Sequence, residues 1–184
     1  MKALFIVTDG FEDIEYTATK DVLHRAGIAT VTASGRISET GRPIVGKAGA
    51  EVVTYVPLTG LDFAEFGLLV LPGGPQVPEL SRNAKVLATV RWFMDHPAKY
   101  VAAICAAPTI LGQLGYLENR DYTLFPPLDA DFGGRFQKRY AVVDGHLITG
   151  DGPAAAIAFG LASVATVLSA KARDEVAAGM FYEE

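Results

Sequence analysis

Tyr100-Val-Ala-Ala-Ile-Cys105-Ala-Ala-Pro-Thr-Ile-Leu-Gly112 is the stretch on which the reading of this chain turns. The short Val/Ala run ending in Ile104 reads as a buried strand. Pro108 followed by Thr109, Ile110 and Leu111 reads as the first turn of a helix, where a missing N–H costs nothing. Cys105 therefore sits on the corner between strand and helix. A chain that doubles back so sharply brings the positions two before and two after the corner almost into contact, so both must be small. Ala103 and Ala107 meet that need, giving a nucleophile elbow with Cys in place of Ser. Backbone N–H groups after the turn then point toward the sulfur, and the helix dipole favours thiolate over thiol, which makes Cys105 a candidate low-pKa nucleophile. A lone Cys in an apolar run also has a plain reading as an inert core residue, and the local pattern leaves both open.

The 184 residues suit one domain, residues 1–184, large enough to bury a sizeable core. Half of them are hydrophobic, as expected of a parallel sheet covered on both faces. With 16 basic against 21 acidic residues, net −5, nothing draws the chain to nucleic acid or to an anionic membrane. The single Cys cannot form an internal disulfide, and the N-terminus turns acidic at Asp9, too soon for a signal peptide. Residues 153–170 are uncharged but rich in Ala, Ser, Thr and Gly, which fits a helix packed closely on a sheet better than a membrane span. A cytoplasmic protein is the expectation.

From the N-terminus, residues 2–7 form an apolar β-rich run. Acidic Glu12, Asp13 and Glu15 open a helix, as its dipole prefers, and Gly27 is placed to end it; with a strand over 28–33 this makes one βαβ unit. Residues 34–60 lose the periodicity and read as a small antiparallel excursion at a sheet edge, with β-like pieces around 44–45 and 51–56. Residues 61–66 read as a short helix or turn, 67–71 as a buried strand broken by Pro72-Gly-Gly-Pro75, and 85–95 as a helix burying Val86, Leu87, Val90 and Phe93. Beyond the elbow, residues 122–124 suggest a short strand. Residues 139–143 and 146–149 suggest a hairpin joined by Asp144-Gly145, and two helices follow, the second over 172–180.

Ligands of an open parallel sheet bind outside the carboxyl ends of its strands. Three unusual loops fall there: residues 9–15, residues 72–75 and Cys105. Gly73-Gly74 allows close backbone approach and can offer N–H donors alongside Ala106. Capping and solvent exposure account for two of the three carboxylates at residues 12–15. If Glu15 faces the elbow, burial beside a thiolate raises its pKa, and a protonated Glu15 could donate to the sulfur and shuttle protons.

Gly10-Phe-Glu-Asp-Ile-Glu15, Asp21-Val-Leu-His-Arg-Ala-Gly27, Leu69-Val-Leu-Pro-Gly-Gly74, Ala102-Ala-Ile-Cys-Ala-Ala-Pro108, and Asp144-Gly145 through Thr149-Gly-Asp-Gly-Pro153 occur in order along the chain. In that order and spacing the chain resembles the DJ-1/ThiJ/PfpI superfamily over nearly its whole length, in its DJ-1-like branch. The resemblance implies a flavodoxin-like α/β three-layer sandwich, mostly parallel, with helices on both faces and a nucleophile elbow. It implies a homodimer with Cys105 as nucleophile, Glu15 as the protonated carboxyl that bonds it, and the Gly74 and Ala106 N–H groups cradling an oxyanion or an oxidised sulfur. The activities it implies are cofactor-free glyoxalase III-like action on small carbonyl substrates, deglycation, redox sensing under oxidative stress and chaperone-like protection. Two positions depart from the pattern: Phe125, before Pro126, stands where many DJ-1-like proteins have His, and Asp151 where several have a pocket Arg. Gly73, Phe125, Pro126 and Asp151 are the remaining pocket candidates.

His24, His96 and His146 show no metal-ligand spacing, so no metal is expected. No Cys-His pair is evident, which disfavours a protease. Asp131-Phe-Gly133 lacks the phosphate loop and Lys of a kinase, and Trp92 and Phe93 have no basic stripe around them and read as packing residues. Two functions remain: a Cys105-dependent enzyme for reactive carbonyls, and a redox sensor or stress chaperone acting through Cys105 oxidation.

Overall fold

Residues 2–7 alternate sides so regularly that each face of the strand they form, β1 (Lys2–Val7), belongs to a different core. Helix α1 (Asp13–Arg25) follows, and β2 (Ala29–Ser34) returns parallel to β1, in register from Lys2↔Ala29 to Val7↔Ser34. The helix ends as Gly27 predicts: at φ +75° it lets Gly27 N–H reach the His24 carbonyl at 2.9 Å and Ile28 N–H the Leu23 carbonyl at 3.0 Å. The computed structural model describes residues 1–37, 41–54 and 56–183.

The excursion after β2 contains an antiparallel pair, β3 (Ile44–Val45) and β4 (Glu51–Val52). The pair forms a separate two-stranded sheet instead of extending the edge of the main one. The strand expected over 51–56 is two residues long, and Tyr55, like residues 38–40, lies outside the described residues. The hairpin hangs on α1: Asp13 accepts from Ala48 N–H at 2.7 Å and Ala50 N–H at 2.8 Å.

A 3-10 turn (Phe63–Glu65) leads into β5 (Leu68–Leu71), then α2 (Val77–Leu80) and α3 (Ala84–Met94), whose start is capped by the Asn83 side chain accepting from Lys85 N–H at 3.0 Å. Strand β6 (Tyr100–Ile104) and α4 (Pro108–Gln113) flank the elbow. Next come β7 (Asp121–Tyr122) and β8 (Arg135–Phe136), a parallel pair with a 3-10 turn (Pro126–Leu128) between them. The hairpin is β9 (Ala141–Asp144) and β10 (Leu147–Gly150). Its turn is Gly145-His146, one residue later than the Asp-Gly reading, with Gly145 at φ +62°. Helices α5 (Ala156–Val167) and α6 (Ala170–Gly179) end the fold.

The main sheet runs β2-β1-β5-β6-β10-β9, with only β9 antiparallel. Counting the parallel strands alone gives the order 2-1-3-4-5 of a flavodoxin-like doubly wound sheet. On one face Phe5, Val7, Val70 and Ile104 pack with Val22, Leu23 and Phe159 of α1 and α5. On the other, Leu4, Ile6, Leu69 and Val101 pack with Val86, Val90, Phe93 and Ile110 of α3 and α4. The small residues of 153–170 are explained by contact: a Cβ added at Gly160 would stand 3.0 Å from Val22 Cβ, so α5 lies hard against α1. Among the described residues no helix is long and apolar enough to cross a membrane.

Candidate active site

Residues 8–12 follow β1, residues 72–76 follow β5 and Cys105 follows β6, so all three meet at the carboxyl ends of adjacent parallel strands. Cys105 has φ +62°, a left-handed conformation that a side chain tolerates only at a cost of about 1–2 kcal/mol. Backbone bonds hold it there: Cys105 N–H donates to the Gly150 carbonyl at 2.8 Å, and Phe125 N–H to the Cys105 carbonyl at 2.9 Å. Ala103 and Ala107 are fully buried beside it, as the small-x-Cys-x-small pattern requires. Gly73 lies directly against the corner. A Cβ there would sit 2.8 Å from Cys105 Cβ, 2.8 Å from the Ile104 carbonyl oxygen and 2.9 Å from Glu15 Oε2. Two of those three neighbours cannot swing away, so Gly73→Ala is expected to lower stability by about 1–3 kcal/mol, measured by urea denaturation.

Glu15 is fully buried on α1. Its Oε2 accepts from Gly73 N–H at 2.8 Å, Oε1 is buried without a hydrogen-bond partner, and the carboxyl as a whole interacts with the Cys105 thiol. The Ala106 and Gly74 N–H groups also act on the sulfur, favouring its charged form. Burial pushes the Glu15 carboxyl up to about 7; the Gly73 N–H, the Cys105 thiol and the Lys47 charge oppose that rise, and Glu12 adds to it. Burial likewise pushes the Cys105 thiol up to about 12, aided by the Glu15 charge and hydrogen bond and opposed by the Ala106 and Gly74 N–H groups.

These directions correct the expectation of a low-pKa cysteine. Helix α4 is six residues long, and its field together with two N–H bonds is outweighed by desolvation and by a neighbouring carboxylate. The rise at Glu15 has the direction and cause expected of its burial, and at about 7 the carboxyl is poised near neutrality between a form that can donate to the sulfur and one that can accept from the thiol.

A cleft opens above Cys105, lined also by Glu12, Gly74, Ala106 and Phe125. Gly73, Pro126 and Asp151 lie outside its lining: Gly73 underneath, Pro126 at the start of its 3-10 turn, and Asp151 half-buried beyond it, with its N–H on the Tyr140 carbonyl at 3.2 Å. Burial raises the Asp151 carboxyl, and the charge acting on the thiol is that of Glu15. Of the other acids opening α1, Asp13 carries the β3–β4 turn, and Glu12 pairs with Lys47 at 3.3 Å on the cleft wall. Among the described residues, no group of His, Cys, Asp and Glu could hold a metal.

One residue with a bearing on the site was not read from the sequence. Gln76, 1% exposed, accepts from Thr8 N–H at 2.7 Å and donates to the carbonyls of Pro72 at 2.7 Å and Gly73 at 3.1 Å. It thereby fixes the peptides that aim Gly73 N–H at Glu15 and Gly74 N–H at the sulfur. A Gln two residues after Pro-Gly-Gly carries no spacing signal, because its partners come from two different loops. Gln76→Leu strips the Thr8 N–H and the Pro72 carbonyl of this partner, the Gly73 carbonyl keeping Glu12 N–H at 3.1 Å, and is expected to cost about 2–3 kcal/mol. It should also change the rate of Cys105 alkylation, which a packing defect elsewhere would leave alone.

This constellation, a strained corner cysteine with a buried carboxyl and a Gly-Gly loop against it, can be set beside known proteins. The DJ-1/PfpI family model matches residues 1–166. The chain belongs to that family. DJ-1beta of Drosophila melanogaster is 30% identical over 182 residues, 97% of this chain and 95% of the relative. A deglycase of Thermococcus kodakarensis is 35% identical over 158 residues, covering 83% and 91%. The solved structure of oxidised DJ-1 from Toxoplasma gondii superposes with a TM-score of 0.88 at 25% identity, covering 100% of this chain and 99% of that one. As a DJ-1/PfpI protein with the 2-1-3-4-5 sheet order, the chain has the flavodoxin-like architecture expected of it.

Proposed function

We propose that the chain is a cysteine-dependent, cofactor-free enzyme acting on reactive carbonyls, of glyoxalase III or deglycase type. The observation that carries this is the placement of one buried carboxyl between Gly73 N–H and the Cys105 thiol, at the floor of an open cleft. The name of the Thermococcus relative, a deglycase, supports the same chemistry.

With Glu15 ionised and Cys105 protonated, the carboxylate takes the thiol proton as the sulfur attacks the aldehyde carbon of a 2-oxoaldehyde. A C–S bond forms, the carbonyl π bond opens, and the oxygen takes up a proton to give a hemithioacetal. Glu15 then removes the hydrogen of that carbon as a proton while the ketone oxygen takes up a proton, giving an enediol; return of a proton to the former ketone carbon and loss of the proton from the hydroxyl on the sulfur-bearing carbon give a thioester of the 2-hydroxy acid. Water cleaves the thioester, releasing the acid and restoring the thiol. The oxidation of one carbon balances the reduction of its neighbour, so no outside oxidant is needed. The Gly74 and Ala106 N–H groups stabilise charge on sulfur and on the developing alkoxide. On a hemiaminal glycation adduct the sulfur displaces the amine: the C–S bond forms as the C–N bond breaks, and the amine leaves with the thiol proton passed through Glu15, giving the same hemithioacetal. The homodimer belongs to this proposal, and sedimentation equilibrium tests it.

The test is methylglyoxal consumption without glutathione by the wild type and by Cys105→Ala. Turnover that disappears in the variant is expected; equal turnover in both would end the mechanism.

A second reading is favoured by the N–H groups at the sulfur, which suit an oxidised anion as well as a thiolate, and by the oxidised Toxoplasma relative. Each of two peroxide molecules would deliver one oxygen to sulfur and leave as water, giving a sulfinate held by Glu15. A mass spectrum after graded peroxide should show 32 Da added (about two oxygens) at Cys105; an unchanged thiol would remove the sensor role.

A further inference from the structure

The cleft over Cys105 is far larger than a small dicarbonyl needs. It holds about 920 Å3, near the upper end of the roughly 300–1,000 Å3 that takes drug-sized ligands. Its wall is mainly apolar, with Val77, Phe125, Leu128, Phe132 and three prolines facing the space. Phe125 and Leu128 each remain 42% exposed although they flank a buried catalytic pair. The Phe132 ring packs against the backbone of Gly112, where an added Cβ would stand 2.3 Å from it.

The charged side chains on the wall are already engaged. Lys47 pairs with Glu12 at 3.3 Å, and Arg82 Nε donates to the Pro78 carbonyl at 2.8 Å. The Thr109 hydroxyl donates to the Ala106 carbonyl at 2.7 Å. A small hydrated aldehyde would find few polar side chains there to orient it, and would leave wetted hydrocarbon around it.

We propose that the site selects 2-oxoaldehydes bearing a branched, apolar body. The alkyl group lies against Phe125, Leu128 and Phe132 while the aldehyde carbon meets the sulfur. This rests on the enzyme reading above and adds to it the part of the substrate remote from the reacting bond. Burial of apolar surface in the transition state raises kcat/KM by about fourfold for each methylene removed from water. Isobutylglyoxal has three more carbons than methylglyoxal and nearly the same carbonyl electronics. It is therefore expected to be preferred by about 10- to 60-fold.

The experiment compares kcat/KM for methyl-, isopropyl- and isobutylglyoxal with the full-length wild type, Phe125→Ala and Leu128→Ala, after circular dichroism and thermal melting have shown that the variants fold. A rising series in the wild type that flattens toward equal values in either variant supports the proposal. A flat or falling series in the wild type, with methylglyoxal turnover intact, overturns it and leaves the enzyme reading standing. A rising series that neither substitution alters also overturns it, since the selectivity then comes from elsewhere. Cys105-independent or absent turnover of all three aldehydes removes the enzyme reading, and this proposal with it.

Discussion

Glu15→Gln is expected to lower kcat/KM for methylglyoxal by about 10²- to 10³-fold at neutral pH, within the range of a lost general base. The substitution is nearly isosteric, and its amide oxygen can still accept from Gly73 N–H as Oε2 does at 2.8 Å. It cannot take the thiol proton or carry a proton between adjacent substrate carbons. Two further signs separate loss of a base from general damage. Wild-type kcat/KM should rise with pH through about 7 as Glu15 ionises, and that limb should vanish in the variant. Alkylation of Cys105 by iodoacetamide should move the other way. The Glu15 charge is one of the causes holding the thiol up to about 12, so removing it makes the thiolate easier to form and shifts the alkylation profile to lower pH. If the variant kept activity within threefold of wild type, the proton-transfer role would be gone.

The opposed signs show what a sequence can and cannot say about such a site. The corner at Cys105 was legible because sterics act on neighbours in the chain: Ala103, Ala107 and Pro108 each answer a constraint imposed within a few residues. The apolar run of β1, buried from Ala3 to Val7, and the stop at Gly27 were legible for the same reason. The acidity of Cys105 was not, because it depends on a carboxyl 90 positions away in the chain and on how much water the fold removes from both groups. A helix dipole can be inferred from six residues, whereas a desolvation penalty requires the whole enclosure. Gln76 escaped because its three bonds join the turns after β1 and β5. The short strand read over 122–124 is β7, begun one residue earlier and two residues long, and its partner β8 escaped because a two-residue strand shows no alternation. In the hairpin, Asp144 closes the last pair of the ladder instead of entering the turn; its carboxylate accepts from Asp121 N–H at 2.8 Å and pairs with Arg120 at 3.3 Å, partners that local turn chemistry does not reveal.

Glu15 should also make the fold less stable as pH rises. Its carboxyl titrates at 4.5 when unperturbed and at about 7 in the fold, so between these values the native state binds the proton that the unfolded chain has released. The stability it contributes is fully present below pH 4.5 and is lost as pH climbs through about 7, a total of about 3 kcal/mol from the shift of roughly 2.5 units. Other groups titrate nearby with mixed signs: Asp9 is lowered by its arginine partners against the opposing effect of burial, Asp151 is raised by burial and His146 is lowered by burial. They are shared by wild type and Glu15→Gln, so the difference between the two proteins isolates Glu15. Urea unfolding at pH 5 and pH 8 is expected to show the wild type losing about 2.5 kcal/mol more than the variant over that interval, with both measurements kept below the range where Cys105 ionises in the unfolded chain. At pH 8 the inactive variant should be the more stable protein, as expected where a buried ionised group is kept for its chemistry at the expense of the fold. A wild-type difference between the two pH values no larger than the variant's would mean that Glu15 titrates as an ordinary carboxyl, and the general-base assignment would lose its physical basis.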